Sequence, residues 1–141
     1  MVAIGSDHAG FEFKQRICSL LDELGEKYID FGTLTKDSCD YPDFAKLVAE
    51  SIVKKESDKG ILICGTGIGM SIGANRYNGI RAAVCVNEAM AKVSRTHNDS
   101  NILAIGERIT PWIEVEKMVK VWLKTDFEDG RHSKRVNKLD R

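Results

Sequence analysis

The chain reads as one α/β domain over residues 1–141, built on a five-stranded parallel sheet with helices on both faces. Three observations predict this. Short apolar runs alternate with longer stretches of helical spacing from one end to the other. Most of the runs are apolar on both faces, as parallel strands between two helix layers are. The length suits a single core, since domains usually run to roughly 100–150 residues.

Val2–Gly5 gives the first strand. Phe13, Ile17, Leu20, Leu21 and Leu24 then fall on one helical face, and Gly25 is placed to end that helix. Lys27–Phe31 gives the second strand, and Phe44, Leu47, Val48 and Ile52 form a second stripe opened by Pro42. Gly60–Cys64 is the third strand, running into a glycine loop and a helix start. Ile80–Val86 is the fourth; Ala89, Met90 and Val93 sit on the helix behind it, with Asn87 positioned as its cap. Ile102–Gly106 is the fifth strand. Val115, Met118, Val119 and Trp122 follow, with Thr110 as N-cap and Pro111 at the first helical position. Strict β-α alternation implies right-handed crossovers.

Composition narrows the function. The 21 basic and 21 acidic residues cancel, which argues against a chain that coats nucleic acid or an anionic membrane. No apolar run approaches the ~18 residues of a membrane span, and Met1–Gly5 lacks the pattern of a signal peptide. Cys18, Cys39, Cys64 and Cys85 lie far apart, so neither a disulfide framework nor a zinc site is expected, and a reducing cytoplasm is.

Ligands of such sheets bind beyond the carboxyl ends of the strands. Ser6-Asp7-His8 follows the first strand and Cys64-Gly65-Thr66-Gly67-Ile68-Gly69 ends the third. His97-Asn98 closes the helix after the fourth, and Glu107-Arg108 follows the fifth. The loop Gly65–Gly69 is the most informative stretch: alternating glycines let backbone N–H groups approach an anion. It is a poor dinucleotide fingerprint, because Met70 stands where a third glycine belongs, and no Gly-Lys-Ser/Thr makes it a P-loop.

Each group also has an ordinary reading. A lone Cys at the end of a buried strand is more often packing than chemistry. A thiol facing N–H groups at a helix start, however, can act as a base. Asp7 could simply cap a helix beside a solvated His8, His97-Asn98 could end one, and Tyr41 before Pro42 could be packing. The basic stretch Arg131, His132, Lys134, Arg135 and Lys138 could be a solvated tail, although Arg131 and Arg135 share a face if it is helical.

Taken together, these residues resemble the ribose-5-phosphate isomerase B group, which also holds isomerases of allose and galactose 6-phosphates. The resemblance spans essentially the whole chain. It rests on Gly5-Ser6-Asp7-His8-Ala9-Gly10, Asp30-Phe31-Gly32-Thr33, Asp40-Tyr41-Pro42-Asp43, Cys64-Gly65-Thr66-Gly67-Ile68-Gly69-Met70-Ser71, Gly79-Ile80-Arg81-Ala82-Ala83, His97-Asn98-Asp99-Ser100-Asn101 and Gly130-Arg131-His132.

The resemblance implies a Rossmann-like α/β/α sandwich and an aldose-ketose isomerase of the pentose phosphate pathway. It makes Cys64 the base, His97 the acid that opens the sugar ring, and Thr66 a proton-relay or positioning group. The backbone of Gly65, Thr66, Gly67, Ile68 and Gly69 becomes the anion hole for an enediolate. Asp7, His8, Tyr41 and Asn98 match positions around the sugar or its phosphate, and Arg108, Arg131 and Arg135 match the binding arginines. In the family's other type the base is a Glu just after the glycine loop; Met70 stands there and cannot accept a proton, which assigns this chain to the cysteine type.

The implied partners are a phosphorylated sugar and a second copy of the chain, in a homodimer or homotetramer with shared sites. Neither nucleic acid nor membrane is among them. No cofactor is expected, since enolisation needs only a base and an oxyanion hole, and the three histidines are dispersed. The readings set against this one are a hexose 6-phosphate isomerase, a non-catalytic phosphate- or nucleotide-binding module of flavodoxin-like fold, and a basic-tail nucleic-acid binder.

Overall fold

The structure, a computed structural model, describes residues 1–140. The elements run β1 Val2–Ser6, α1 Phe11–Glu23, β2 Tyr28–Asp30, α2 Tyr41–Val53, β3 Lys59–Cys64, α3 Ile68–Ala74, β4 Ala82–Val84, α4 Glu88–Thr96, β5 Ile102–Gly106, α5 Trp112–Lys124 and α6 Arg131–Val136. A 3₁₀ turn at His8–Gly10 leads into α1. The five strands pair in parallel in the order β2-β1-β3-β5-β4.

Alternation along each central strand divides its side chains between two cores. Ile4, Ile61, Ile63, Leu103 and Ile105 join Ile17, Leu21, Val115, Met118 and Trp122 beneath α1 and α5. Ala3, Leu62, Cys64 and Ala104 point the other way, onto Val48, Ala49, Met70 and Ala74 of α2 and α3. This is the expected three-layer α/β/α sandwich, and it places the Cys64 side chain on the α2/α3 side.

Local signals held where the chemistry is local. Gly25 takes φ 72° behind α1, with Gly25 N–H on Asp22 O and Glu26 N–H on Leu21 O, the paired bonds of a Schellman end. The Asn87 side chain accepts from Met90 N–H at 2.8 Å and caps α4.

Three expectations need correction. First, β4 covers Ala82–Val84 rather than Ile80–Val86, because the Asn101 side chain takes the Arg81 N–H at 2.7 Å in place of a ladder bond. Second, Pro111 is itself the N-cap of α5, in extended backbone, and Thr110 is buried one residue earlier with its hydroxyl unpartnered. Third, Ala89, Met90 and Val93 lie on the outer face of α4, Met90 and Val93 being 43% and 44% exposed. The inward face is Ala91, Ser94 and Arg95. Its polar groups are satisfied internally, Ser94 by Ser100 at 2.8 Å and Arg95 by Asp99 at 2.9 Å and the Thr125 carbonyl at 3.0 Å. The helical period was right and the face was reversed.

One ion pair with a buried lysine ties α1 to the end of β2. Lys14 is fully buried, and its Nζ meets Asp30 Oδ2 at 2.6 Å. Asp30 Oδ1 also accepts from Gly32 N–H at 2.8 Å. Asp30→Ala leaves an ammonium buried without its partner, so stability in urea should fall by ~3–5 kcal/mol. A loss below about 1 kcal/mol would mean that the pair behaves like an exposed one.

Candidate active site

The sheet order fixes where the site lies. From β1 the chain moves outward to β2, and β3 takes the other side of β1, so the loops leaving β1 and β3 diverge over opposite faces. A crevice opens between them at such a switch point. Here it is a cleft of ≈ 240 Å³ lined by Asp7, His8, Ala9, Tyr41, Cys64, Gly65, Thr66, Gly69 and Arg108.

Tight backbone contacts hold the two loops. A Cβ on Gly10 would fall 2.5 Å from the Ile63 carbonyl oxygen, so only glycine lets the turn after β1 pass against β3. Asp7 is buried, and its Oδ1 accepts from Ala9 and Gly10 N–H at 3.0 and 3.1 Å, which caps the turn. His8 Nδ1 accepts from Cys39 N–H at 3.2 Å. The nitrogen that accepts carries no hydrogen, so Nε2 is the ring's donor.

Across the cleft, Cys64 is 5% exposed and its Sγ accepts from Gly67 N–H at 3.1 Å. Gly67 adopts φ 80°, and a Cβ there would sit 2.9 Å from Val84 and 3.0 Å from the Ile105 carbonyl carbon. The loop therefore folds over the sulfur only with glycine at this position. The Thr66 hydroxyl accepts from Ile68 N–H at 3.2 Å, at the exposed rim. Arg108 lies over Gly65, its backbone N–H bound to the Gly65 carbonyl at 3.0 Å. The Tyr41 ring packs on Gly69. Burial pushes the Cys18 and Cys85 thiols up to about 11, which makes both poor nucleophiles and bases at neutral pH.

The cleft thus gathers Asp7, His8, Tyr41, Cys64, Gly65, Thr66, Gly69 and Arg108, with Gly67 and Ile68 in the same loop. His97, Asn98, Arg131 and Arg135 are not among its walls. Asn98 borders two larger hollows of ≈ 390 and ≈ 400 Å³ beside β4. Arg131 and Arg135 are exposed on α6, and since that segment is helical they share a face. His97 ends α4, and its ring stacks on His132 with centroids 4.3 Å apart and planes 16° apart. Two of the three dispersed histidines therefore meet. His132 is buried, and burial, then the charges of His97 and Arg131, lower its pKa.

Two contributors had no signal in the sequence. The Cys39 backbone orients His8 from a loop 31 residues away. Glu107 anchors the start of α1 by accepting from Phe13 N–H at 2.7 Å, with its pKa raised by burial.

Fold and cleft define the class: an α/β enzyme with a cleft at the switch point of a parallel sheet. The chain belongs to the Ribose/Galactose Isomerase family, whose sequence profile matches residues 2–139. It is 47% identical over 139 residues to ribose-5-phosphate isomerase B of Escherichia coli, covering 98% of this chain and 93% of that one. The structure of Clostridium thermocellum ribose-5-phosphate isomerase B superposes with a TM-score of 0.97 at 51% identity, over 98% of this chain and 93% of that chain. That of the Mycoplasma genitalium enzyme with bound ribulose-5-phosphate gives 0.94 at 39% identity, over 98% and 92%. Among the described residues no helix is long and apolar enough to cross a membrane.

Proposed function

We propose that this chain interconverts ribose 5-phosphate and ribulose 5-phosphate through an enediolate, as a step of the non-oxidative pentose phosphate pathway. The carrying observation is the Cys64 sulfur, held at the cleft under the glycine loop, its Sγ accepting from Gly67 N–H at 3.1 Å. Isomerisation moves a proton between neighbouring carbons beside a carbonyl. Cys64 takes and returns that proton. The loop N–H groups hold the enediolate oxygens, each such donor being worth ~3–4 kcal/mol in comparable sites. Thr66 positions the transfer, and His97 acts as the acid that opens the ring. Asp7, His8, Tyr41 and Asn98 hold the sugar and its phosphate, with Arg108, Arg131 and Arg135 on the phosphate.

This reading requires two copies of the single domain 1–141. Cys64 and His97 occupy different places on one chain, so the proposed site joins the Cys64 cleft of one copy to the His97 segment of another, in a homodimer or homotetramer. Exposed apolar side chains support an interface: Ile68 and Ile72 on α3 are 55% and 50% exposed, and Met90 and Val93 on α4 are 43% and 44% exposed. A cytoplasmic setting rests on the dispersed cysteines, which are free of disulfides.

Arg131 gives the direct test of the substrate. A charge-assisted hydrogen bond to phosphate is worth ~1.5–3 kcal/mol, so Arg131→Ala should lower kcat/KM for ribose 5-phosphate by that amount. Residual turnover of unphosphorylated ribose should not change, because that sugar never uses the pocket. Equal losses on both sugars would reassign the arginine to structure. Faster turnover of allose 6-phosphate than of ribose 5-phosphate by the wild-type chain would overturn the pentose assignment.

A further inference from the structure

We propose that Glu107 is a positioning residue for the isomerisation: it ties the two walls of the cleft together and sets the place of His8 opposite Cys64. Glu107 does not line the cleft, so it acts through its neighbours. Its role in turnover rests on the reading of the cleft as a sugar-phosphate site; the tie itself does not.

Glu107 is the first residue beyond β5, and its polar groups reach opposite walls. Its backbone N–H donates to the Cys64 carbonyl at 2.9 Å, and the next N–H, of Arg108, donates to the Gly65 carbonyl at 3.0 Å. The exit of β5 thereby holds the end of β3 and the start of the glycine loop. The side chain runs the other way. Its Oε1 accepts from Phe13 N–H at 2.7 Å, in the first turn of α1 and 94 positions away in sequence.

Helix α1 needs that acceptor. The first N–H groups of a helix find no partner within it, and the N-cap here is Gly10, which has no side-chain oxygen to offer. Asp7 serves Ala9 and Gly10, ahead of the helix. Glu12, the acid of the first turn, is engaged with Lys36. A carboxylate from β5 therefore supplies the cap that the local sequence lacks, at the end of the helix that favours negative charge. The turn His8–Gly10 runs directly into α1, so what holds Phe13 also holds that turn. The turn's own bond to β3, Asp7 N–H on the Ile63 carbonyl, is longer at 3.3 Å.

Loss of the carboxylate leaves the backbone bonds to Cys64 and Gly65 in place. The base stays where it is, and the His8 wall loosens. The cost should therefore fall on binding rather than on proton transfer. A misplacement of ~1 Å can cost ~10²-fold; the turn keeps its Asp7 bonds, so the cost here should be smaller.

The test compares Glu107→Ala, Glu107→Gln and Glu107→Asp by steady-state kinetics on ribose 5-phosphate and by amide hydrogen exchange. Glu107→Ala should raise KM by ~10-fold and change kcat by less than about twofold. Glu107→Gln keeps an oxygen at the same reach and should restore KM. Glu107→Asp keeps the charge but falls a methylene short, so it should behave like the alanine variant. In a His8→Ala background the loss from Glu107→Ala should shrink, because both changes act on one turn. The N–H groups of Phe13, Ala9 and Gly10 should exchange at least about tenfold faster in Glu107→Ala than in the wild type or Glu107→Gln. Unchanged KM or unchanged exchange in Glu107→Ala would overturn the proposal. So would a glutamine variant as impaired as alanine, an aspartate variant that matches the wild type, or losses that multiply in full with His8→Ala. A wild-type chain that fails to turn over ribose 5-phosphate, with the exchange pattern as expected, would uphold the tie and reject the sugar-phosphate reading instead.

Discussion

Cys64→Ala should lower turnover of ribose 5-phosphate by ~10²–10⁴-fold, the usual contribution of a positioned base, while substrate still binds. The sulfur is the group in the cleft placed to take a proton under the N–H loop, at 3.1 Å from Gly67 N–H. Met70, just after the glycine loop, is fully buried and holds no acceptor for a proton. Asp7 also lines the cleft, but one of its oxygens is committed to two backbone N–H groups at 3.0 and 3.1 Å. Steady-state kinetics with a binding titration on the same variant separate the two effects. A variant with near-normal kcat would reject Cys64 as the base.

His97→Ala should also cost activity, by ~10²-fold as for loss of a general acid, and at a different step. Ribose 5-phosphate must open its ring before enolisation. Ribulose 5-phosphate carries its phosphate on the C5 oxygen, so it cannot close a five-membered ring and enters the site open. The two variants therefore part in D₂O. With His97→Ala, deuterium should still enter C1 of ribulose 5-phosphate, because the base and the N–H loop are intact. With Cys64→Ala that exchange should stop. Exchange lost equally in both would mean that His97 serves enolisation itself rather than ring opening.

Much of the fold was legible because local rules agreed with one another. Each central strand showed apolar residues on both faces, and Gly25 and Asn87 marked helix ends by chemistry that operates within a few residues. α4 was legible in period and misleading in direction. An apolar stripe normally faces the core, but here Ser94 and Arg95 go inward, because buried partners satisfy them, and Met90 and Val93 go outward. Hydrophobic spacing alone does not predict that, because it gives the period of a helix and not which face has buried polar partners. The order of the sheet, with β5 inserted between β3 and β4, is likewise set by packing rather than by any local signal.

The site divided along the same line. The groups that follow strands β1, β3 and β5 were found from sequence and share one cleft, because a parallel sheet delivers all its carboxyl ends to one edge. The support from the Cys39 backbone and the stacking of His97 on His132 were not legible, since each joins residues more than 30 positions apart through loops.

The most direct test of a Cys64–His97 site shared between subunits is to mix the two inactive variants. Equimolar Cys64→Ala and His97→Ala chains, exchanged to equilibrium, make mixed dimers in half of the population. Each mixed dimer has one site with both lesions and one with neither, so about a quarter of wild-type activity should return. If subunit exchange is demonstrated by mass or label and no activity appears, the two residues do not meet across an interface and the account of the site is wrong.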